Sequence, residues 1–153
     1  MKEIKLYIHT NAAPRREDRA KVTYLLQYVK DGQDAGSRED HMAVDGNQKS
    51  ATLEAVISAL TRINDGNTTP ITIICHCPGV IQCINQELYT KWQANGWKNS
   101  KGTEVECADM WERVSKLLKD KAGEIMARPP ADEEKGIMRK LGAETFDPHS
   151  NIA

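Results

Sequence analysis

One stretch, Ile71 to Trp97, constrains the fold more than any other: ITIICHCPGVIQCINQELYTKWQANGW. Ile71, Ile73 and Ile74 form a short isoleucine-rich run of the kind that makes a buried strand. Cys75-His76-Cys77 closes the run, and Pro78-Gly79 follows, with proline where a helix N-terminus accepts it. Val80, Ile81, Ile84, Leu88 and Trp92 then recur at helical spacing. A strand, a tight turn and an amphipathic helix make half of an α/β unit, and ligands usually sit at such a turn. The residue there is His76.

The flanking segments complete an order of elements. Ile4, Leu6 and Ile8 alternate with Lys5, Tyr7 and His9, which predicts a half-buried first strand. Val22 to Val29 is rich in β-formers and predicts a second. Asp31-Gly32 and Gly36-Ser37 mark turns around a third strand near Asp40 to Val44. Asp45-Gly46-Asn47 ends that segment, and Asn47 or Ser50 can cap a helix carrying Leu53, Val56, Ile57, Leu60 and Ile63, which stops near Gly66. Met110, Trp111, Val114, Leu117 and Leu118 give another helix. Glu124 to Ala127 reads as a last strand ended by Pro129-Pro130, and Ile137, Met138 and Leu141 as a final helix. The expectation is an α/β domain over residues 1–142, followed by a loose tail over 143–153. Its mixed five-stranded sheet has three antiparallel hairpin strands and two parallel strands, flanked by helices.

At 153 residues the chain is long enough for one domain with a real core. Charged residues make up 28% and mean hydropathy is −0.60, and no apolar run approaches the ~18 residues of a membrane span. MKEIKLYIHT carries charges inside what would be a signal peptide's apolar region. The four cysteines, Cys75, Cys77, Cys83 and Cys107, lack paired CxxC spacing, which suits reduced thiols. A cytoplasmic protein without membrane attachment is expected. With 21 basic and 22 acidic residues the formal charge is −1, so any phosphate-binding patch must be local.

The order of elements, with its landmarks, resembles bacterial ribonuclease H over residues 3–141. Val80 keeps the valine of the family's Asp-Ser-x-x-Val pattern, with His76 at the aspartate. Trp92 and Trp97-Lys98 match its two-tryptophan basic protrusion, Met110-Trp111 its later Leu-Trp helix start, and Leu53, Ala59 and Leu60 its first-helix pattern. The resemblance implies a two-metal nuclease whose clustered carboxylates hold hard divalent ions such as Mg²⁺ or Mn²⁺. Here the first carboxylate position falls on His9 (Thr10 with a one-residue shift), the second on Thr52 and the third on His76. Glu54 lies about 200° around the helix from Thr52 and does not substitute for it. The fourth belongs near Lys135 and Gly136, after Asp132, Glu133 and Glu134, and Arg128-Pro129-Pro130 replaces the family's His-bearing loop. The resemblance therefore implies a degenerate centre at His9, Thr52 and His76, no intact catalytic residue, and no resident cofactor unless the family activity survives on Mg²⁺ or Mn²⁺.

Several residues carry two readings. The resemblance also implies that His9 and His76 lie close together on adjacent parallel strands. They are either two neutral imidazoles filling a dead centre or a retasked site for Zn²⁺, completed by Glu133 or Glu134. Cys75 and Cys77 are a thiol pair or small buried residues on the opposite face. Trp92, Trp97, Lys91, Lys98 and Lys101 form an aromatic-basic cluster that either grips nucleic acid, as the family's protrusion does, or packs the helix and its loop. Asn47 and Gln48 either contact a minor groove through their amides or cap the helix. Arg15, Arg16 and Arg19 are interrupted by Glu17 and Asp18 and read as a solvated loop.

Three functions follow. The first is a catalytically inactive ribonuclease-H-like protein, a pseudoenzyme, that binds RNA–DNA hybrid or structured RNA through Asn47, Gln48, Trp92, Trp97, Lys98 and Lys101. The second is a protein-interaction module on a reassigned surface, which the near-neutral charge favours. The third is a surviving metal-dependent hybrid nuclease with non-standard ligands.

Overall fold

A computed structural model describes residues 1–144. The strands are β1 (Lys2–Thr10), β2 (Asp18–Lys30), β3 (Gln33–Gly46), β4 (Ile71–Ile74) and β5 (Ile125–Arg128). The helices are α1 (Gln48–Thr61), α2 (Pro78–Asn85), α3 (Leu88–Ala94), α4 (Ala108–Lys119) and α5 (Lys135–Glu144), the last entered through a 3-10 turn at Asp132–Glu134. The sheet order is β3-β2-β1-β4-β5. β1, β2 and β3 pair antiparallel, while β4 pairs parallel to both β1 and β5. This is the mixed sheet that the sequence predicts.

Strand alternation divides the sheet into two unequal faces. Ile4, Leu6 and Ile8 of β1, Val22, Tyr24 and Leu26 of β2, and Ile71 and Ile73 of β4 point into the main core. There they meet Leu53, Val56 and Leu60 of α1 and Trp111 and Val114 of α4. On the opposite face Tyr7 and Ile74 meet Met138 and Leu141 of α5, with Leu25 and Ile137 alongside. The second core is small, so one helix closes it. α5 thereby lies over the face from which His9 projects.

Three local expectations are corrected. β3 is fourteen residues long and runs through Gly36-Ser37, where a turn was expected. Gly36 takes φ +145° and still pairs with Tyr28, and the register shift between Tyr28 and Val29 leaves Ala35 as the bulged residue, so the ladder does not end. The single helix expected from Val80 to Trp92 is two, broken where Glu87 adopts φ +52°. The expected domain end at 142 falls inside α5, which runs on to Glu144; residues 145–153 of the expected tail lie outside the described residues. Among the described residues no helix is long and apolar enough to cross a membrane.

The start of the parallel pair is held by a close approach of two loops. The N–H groups of Ala122 and Gly123 both donate to the Asn67 carbonyl, at 2.8 and 2.9 Å. A Cβ on Gly123 would lie 2.5 Å from the Thr69 carbonyl oxygen and 2.8 Å from that of Thr68, and both are backbone atoms that cannot swing aside. Gly123→Ala is expected to destabilise the protein by about 1–3 kcal/mol, read as a lowered midpoint of urea unfolding with an unchanged slope.

Candidate functional site

Parallel pairing sets Tyr7 opposite Ile74, so the next residues on the same face, His9 near the end of β1 and His76 just beyond the end of β4, emerge side by side. They share a cleft of about 700 Å³ whose far wall is α5, contributing Lys135, Arg139 and Gly142, with Asp132 at its edge. His76 is exposed and His9 half-buried. Burial, and then the neighbouring His76, hold the His9 imidazole below the ordinary histidine pKa, so it stands neutral at pH 7. Its Nδ1 is buried and has no hydrogen-bond partner among the described residues. On the other side of the ring, a Cβ on Gly142 would sit 3.0 Å from Nε2, so the absence of a side chain at 142 lets α5 close on the imidazole.

The acidic candidates do not join the histidines. Glu134 is buried, and its carboxylate accepts from Arg128 Nη1 and Nη2 at 2.5 and 2.9 Å, from Lys5 Nζ at 2.9 Å and from the Ala131 N–H at 2.8 Å. Glu133 is exposed and does not line the cleft. Asp132 does, but it pairs with Lys135 at 2.9 Å. Thr52 is buried, and its hydroxyl donates to the Gln48 carbonyl at 2.7 Å. The Thr10 hydroxyl is likewise taken up by the backbone, donating to the Lys21 carbonyl at 3.0 Å. The cleft thus presents two imidazoles, two cations and one ion-paired carboxylate among the described residues. That donor set does not fit a pair of hard ions, which need several anionic oxygens.

No protein-family model matches the chain. Over 67 residues it is 31% identical to the ribonuclease H of Caldicellulosiruptor saccharolyticus, a stretch covering 44% of this chain and 45% of that one. With the ribonuclease H of Syntrophomonas wolfei the identity is 37% over 67 residues and the same shares. The match spans less than half the length of these curated relatives. Among solved structures, the PFV ribonuclease H domain superposes with a TM-score of 0.67 at 18% identity, covering 94% of each chain. A type 1 ribonuclease H with the type 2 active-site motif gives 0.66 at 16%, over 93% of this chain and 73% of that one. The chain has a ribonuclease-H-like fold. A foamy viral protease–reverse transcriptase in complex with RNA/DNA hybrid also matches, at 0.66 and 18% identity, over 92% of this chain and 19% of that one.

Elsewhere on this ribonuclease-H-like fold, the other named residues have definite places. Asn47 caps α1, accepting from the Ser50 N–H at 3.0 Å while Ser50 Oγ accepts from the Asn47 N–H at 3.0 Å; its amide also donates to Glu106 at 3.3 Å. Gln48 donates its side-chain amide to the His76 carbonyl at 3.4 Å, which ties the start of α1 to the turn after β4. Trp92 meets Trp111 edge-on at 6.1 Å, Tyr89 stacks on Trp111 at 6.3 Å, and both Trp92 and Trp97 pack partly buried on the core. Lys98 and Lys101 stay exposed on the loop beyond. Cys75 and Cys77 are buried on the main-core side of the strand end, opposite His76, and burial pushes Cys75 up to about 11 and Cys83 to about 12. Cys75 and Cys83 are packing thiols, not thiolates.

Arg139 and Gly142 are cleft residues that the sequence reading missed. A signal for them exists: Lys135, Met138, Arg139 and Gly142 follow i, i+3, i+4, i+7 and so share one helical stripe. A second missed group, Glu39, His41 and Glu144, lies further along the same face.

Arg128 and then the Ala131 N–H and Lys5 hold the Glu134 carboxyl down at about 2, against the opposing effect of burial. A depressed carboxylate stabilises the fold above its unfolded value, and that contribution is lost as pH falls through the folded one. Between pH 4.5 and 2 the wild type is expected to lose roughly 3 kcal/mol through this group. Urea unfolding across that window should show the loss, and Glu134→Gln should start lower at pH 7 and lack the step.

Proposed function

We propose that this protein is a catalytically inactive member of the ribonuclease-H-like class that binds RNA–DNA hybrid or structured RNA. The observation that carries this reading is the cleft wall itself. Where hydrolysis by two metals needs carboxylates on β1, α1, β4 and the last helix, this chain has His9, Thr52, His76 and the Lys135–Arg139 stripe. Lys135 and Arg139 suit a phosphate, and a neutral His9 adds no repulsion to a backbone lying across them. Lys98 and Lys101 offer a second point of contact, while Trp92 and Trp97 hold their loop by packing. The presence of RNA/DNA hybrid on the foamy viral relative of this fold supports the choice of ligand.

A near-neutral net charge favours the second reading, a surface for another protein. Salt dependence separates the two, because contacts to phosphates release counterions and protein contacts of this size do not follow that law. With a fluorescein-labelled RNA–DNA hybrid, anisotropy is expected to report binding that weakens with salt. Lys135→Ala/Arg139→Ala should reduce the slope of log affinity against log salt by about two. No cleavage is expected with Mg²⁺, Mn²⁺, Zn²⁺ or chelator. An unchanged slope would remove the cleft from the interface. Metal-dependent cutting lost in His9→Ala/His76→Ala would instead make the two histidines part of a working centre.

A further inference from the structure

Two residues along from the cleft, β3 and α5 bring together three potential ligands. Glu39 and His41 are i, i+2 on β3 and share a face, and Glu144 reaches them from the end of α5. One donor atom from each lies within 4.8 Å of the other two. His41 Nε2 is 3.3 Å from the Glu39 carboxylate. Its other nitrogen, Nδ1, is 3.1 Å from the hydroxyl of Thr23, a fully buried residue on β2. That contact fixes the ring and leaves Nε2 as the ligand atom, the arrangement in which metal-binding histidines are usually held.

Two further observations point to a cation rather than to a surface ion pair. The Glu39 and Glu144 carboxylates each place an oxygen within 4.8 Å of the other, with the His41 ring nitrogen equally near. Two carboxylates held this close repel each other, and a cation between them relieves the repulsion. One carboxylate oxygen of Glu144 is buried and accepts no hydrogen bond among the described residues. An ion pair between His41 and Glu39 accounts for neither.

We propose that Glu39, His41 and Glu144 form a binding site for a divalent transition ion of the Zn²⁺ class, clamping the end of α5 to β3. One imidazole and two carboxylates suit Zn²⁺ better than Mg²⁺, which dehydrates reluctantly and prefers oxygen alone. The remaining coordination positions face solvent, since Glu39 and His41 are exposed. The clamp acts on the cleft through Gly142, which lies two residues before Glu144 and closes on His9. The site does not depend on the nucleic-acid reading.

Calorimetric titration of the full chain with Zn²⁺ tests it. About one equivalent is expected to bind in wild type and to raise the thermal midpoint. Glu144→Gln and His41→Ala should each weaken binding at least tenfold, and Thr23→Val, which leaves all three ligands in place, by about tenfold. The isosteric glutamine variant, checked by circular dichroism, separates loss of a ligand from loss of fold. Co²⁺ in place of Zn²⁺ should bind without a thiolate charge-transfer band. No saturable binding, binding undiminished in Glu144→Gln and His41→Ala, equal competition by Mg²⁺, or a thiolate band would each overturn the proposal.

Discussion

A single buried carboxylate organises the second face of the sheet. Glu134 receives the Lys5 ammonium from β1, both terminal nitrogens of Arg128 from β5, and the Ala131 N–H of the turn before α5. β1 and β5 are not neighbours, because β4 lies between them. The carboxylate therefore spans the parallel part of the sheet and delivers the chain into α5 at a fixed place. Burying an ion of this kind is costly unless every lone pair is used, and here four donors use them. Removing it would strand two cations on a partly buried surface, so the clamp is far harder to lose than to keep.

That anchoring decides what chemistry the cleft can support. α5 has only a small apolar stripe, Met138 and Leu141, against Tyr7 and Ile74, so its position rests on the clamp at its start. With the helix so placed, the stripe containing Lys135 and Arg139 faces His9 and His76. A centre built on hard divalent ions requires the opposite charge on that wall. The same acidic residue that holds the helix is thereby withdrawn from any role as ligand. In this chain the carboxylate nearest the expected fourth position is structural, and the side chains left at the cleft are cationic or neutral apart from Asp132, which is paired with Lys135.

Much of this was legible in the sequence, for identifiable reasons. The parallel strand and its helix were carried by isoleucine runs, Pro78 and apolar spacing, all of which are local signals. The neighbouring of His9 and His76 followed from the resemblance to the ribonuclease H fold. What the sequence hid depends on details of backbone and long-range contact. Gly36-Ser37 reads as a turn by composition, yet a bulge against β2 makes it strand. The break between α2 and α3 sits at Glu87, a residue with no preference for the left-handed region it occupies. Glu133 and Glu134 are adjacent and chemically identical. Only the positions of Lys5, far away in sequence, and of Arg128, six residues before Glu134, decide that one is buried in a salt bridge and the other exposed.

The registers also place His9, Thr23 and His41 in one row across β1, β2 and β3, with His76 beside them just beyond the end of β4. The row directly inside it is Ile74, Tyr7, Leu25 and Glu39, apolar over three strands. The histidine row is thus the edge at which the small core under α5 meets solvent, and half-polar rings suit such a boundary. Its members are satisfied unequally. Thr23 and His41 pair with each other, whereas His9 Nδ1 is buried without a partner. An unpaired buried nitrogen costs about 1–3 kcal/mol, which the surrounding packing must offset. Such groups in folded proteins call for an explanation, and a binding or switching role is one of them. His9 lines the same cleft as the two cations of α5, while the crowded carboxylates lie around His41 at the far end of the row. The polar edge of this sheet therefore carries two unsatisfied points under a single helix, one on a residue of the cationic cleft and one among carboxylates.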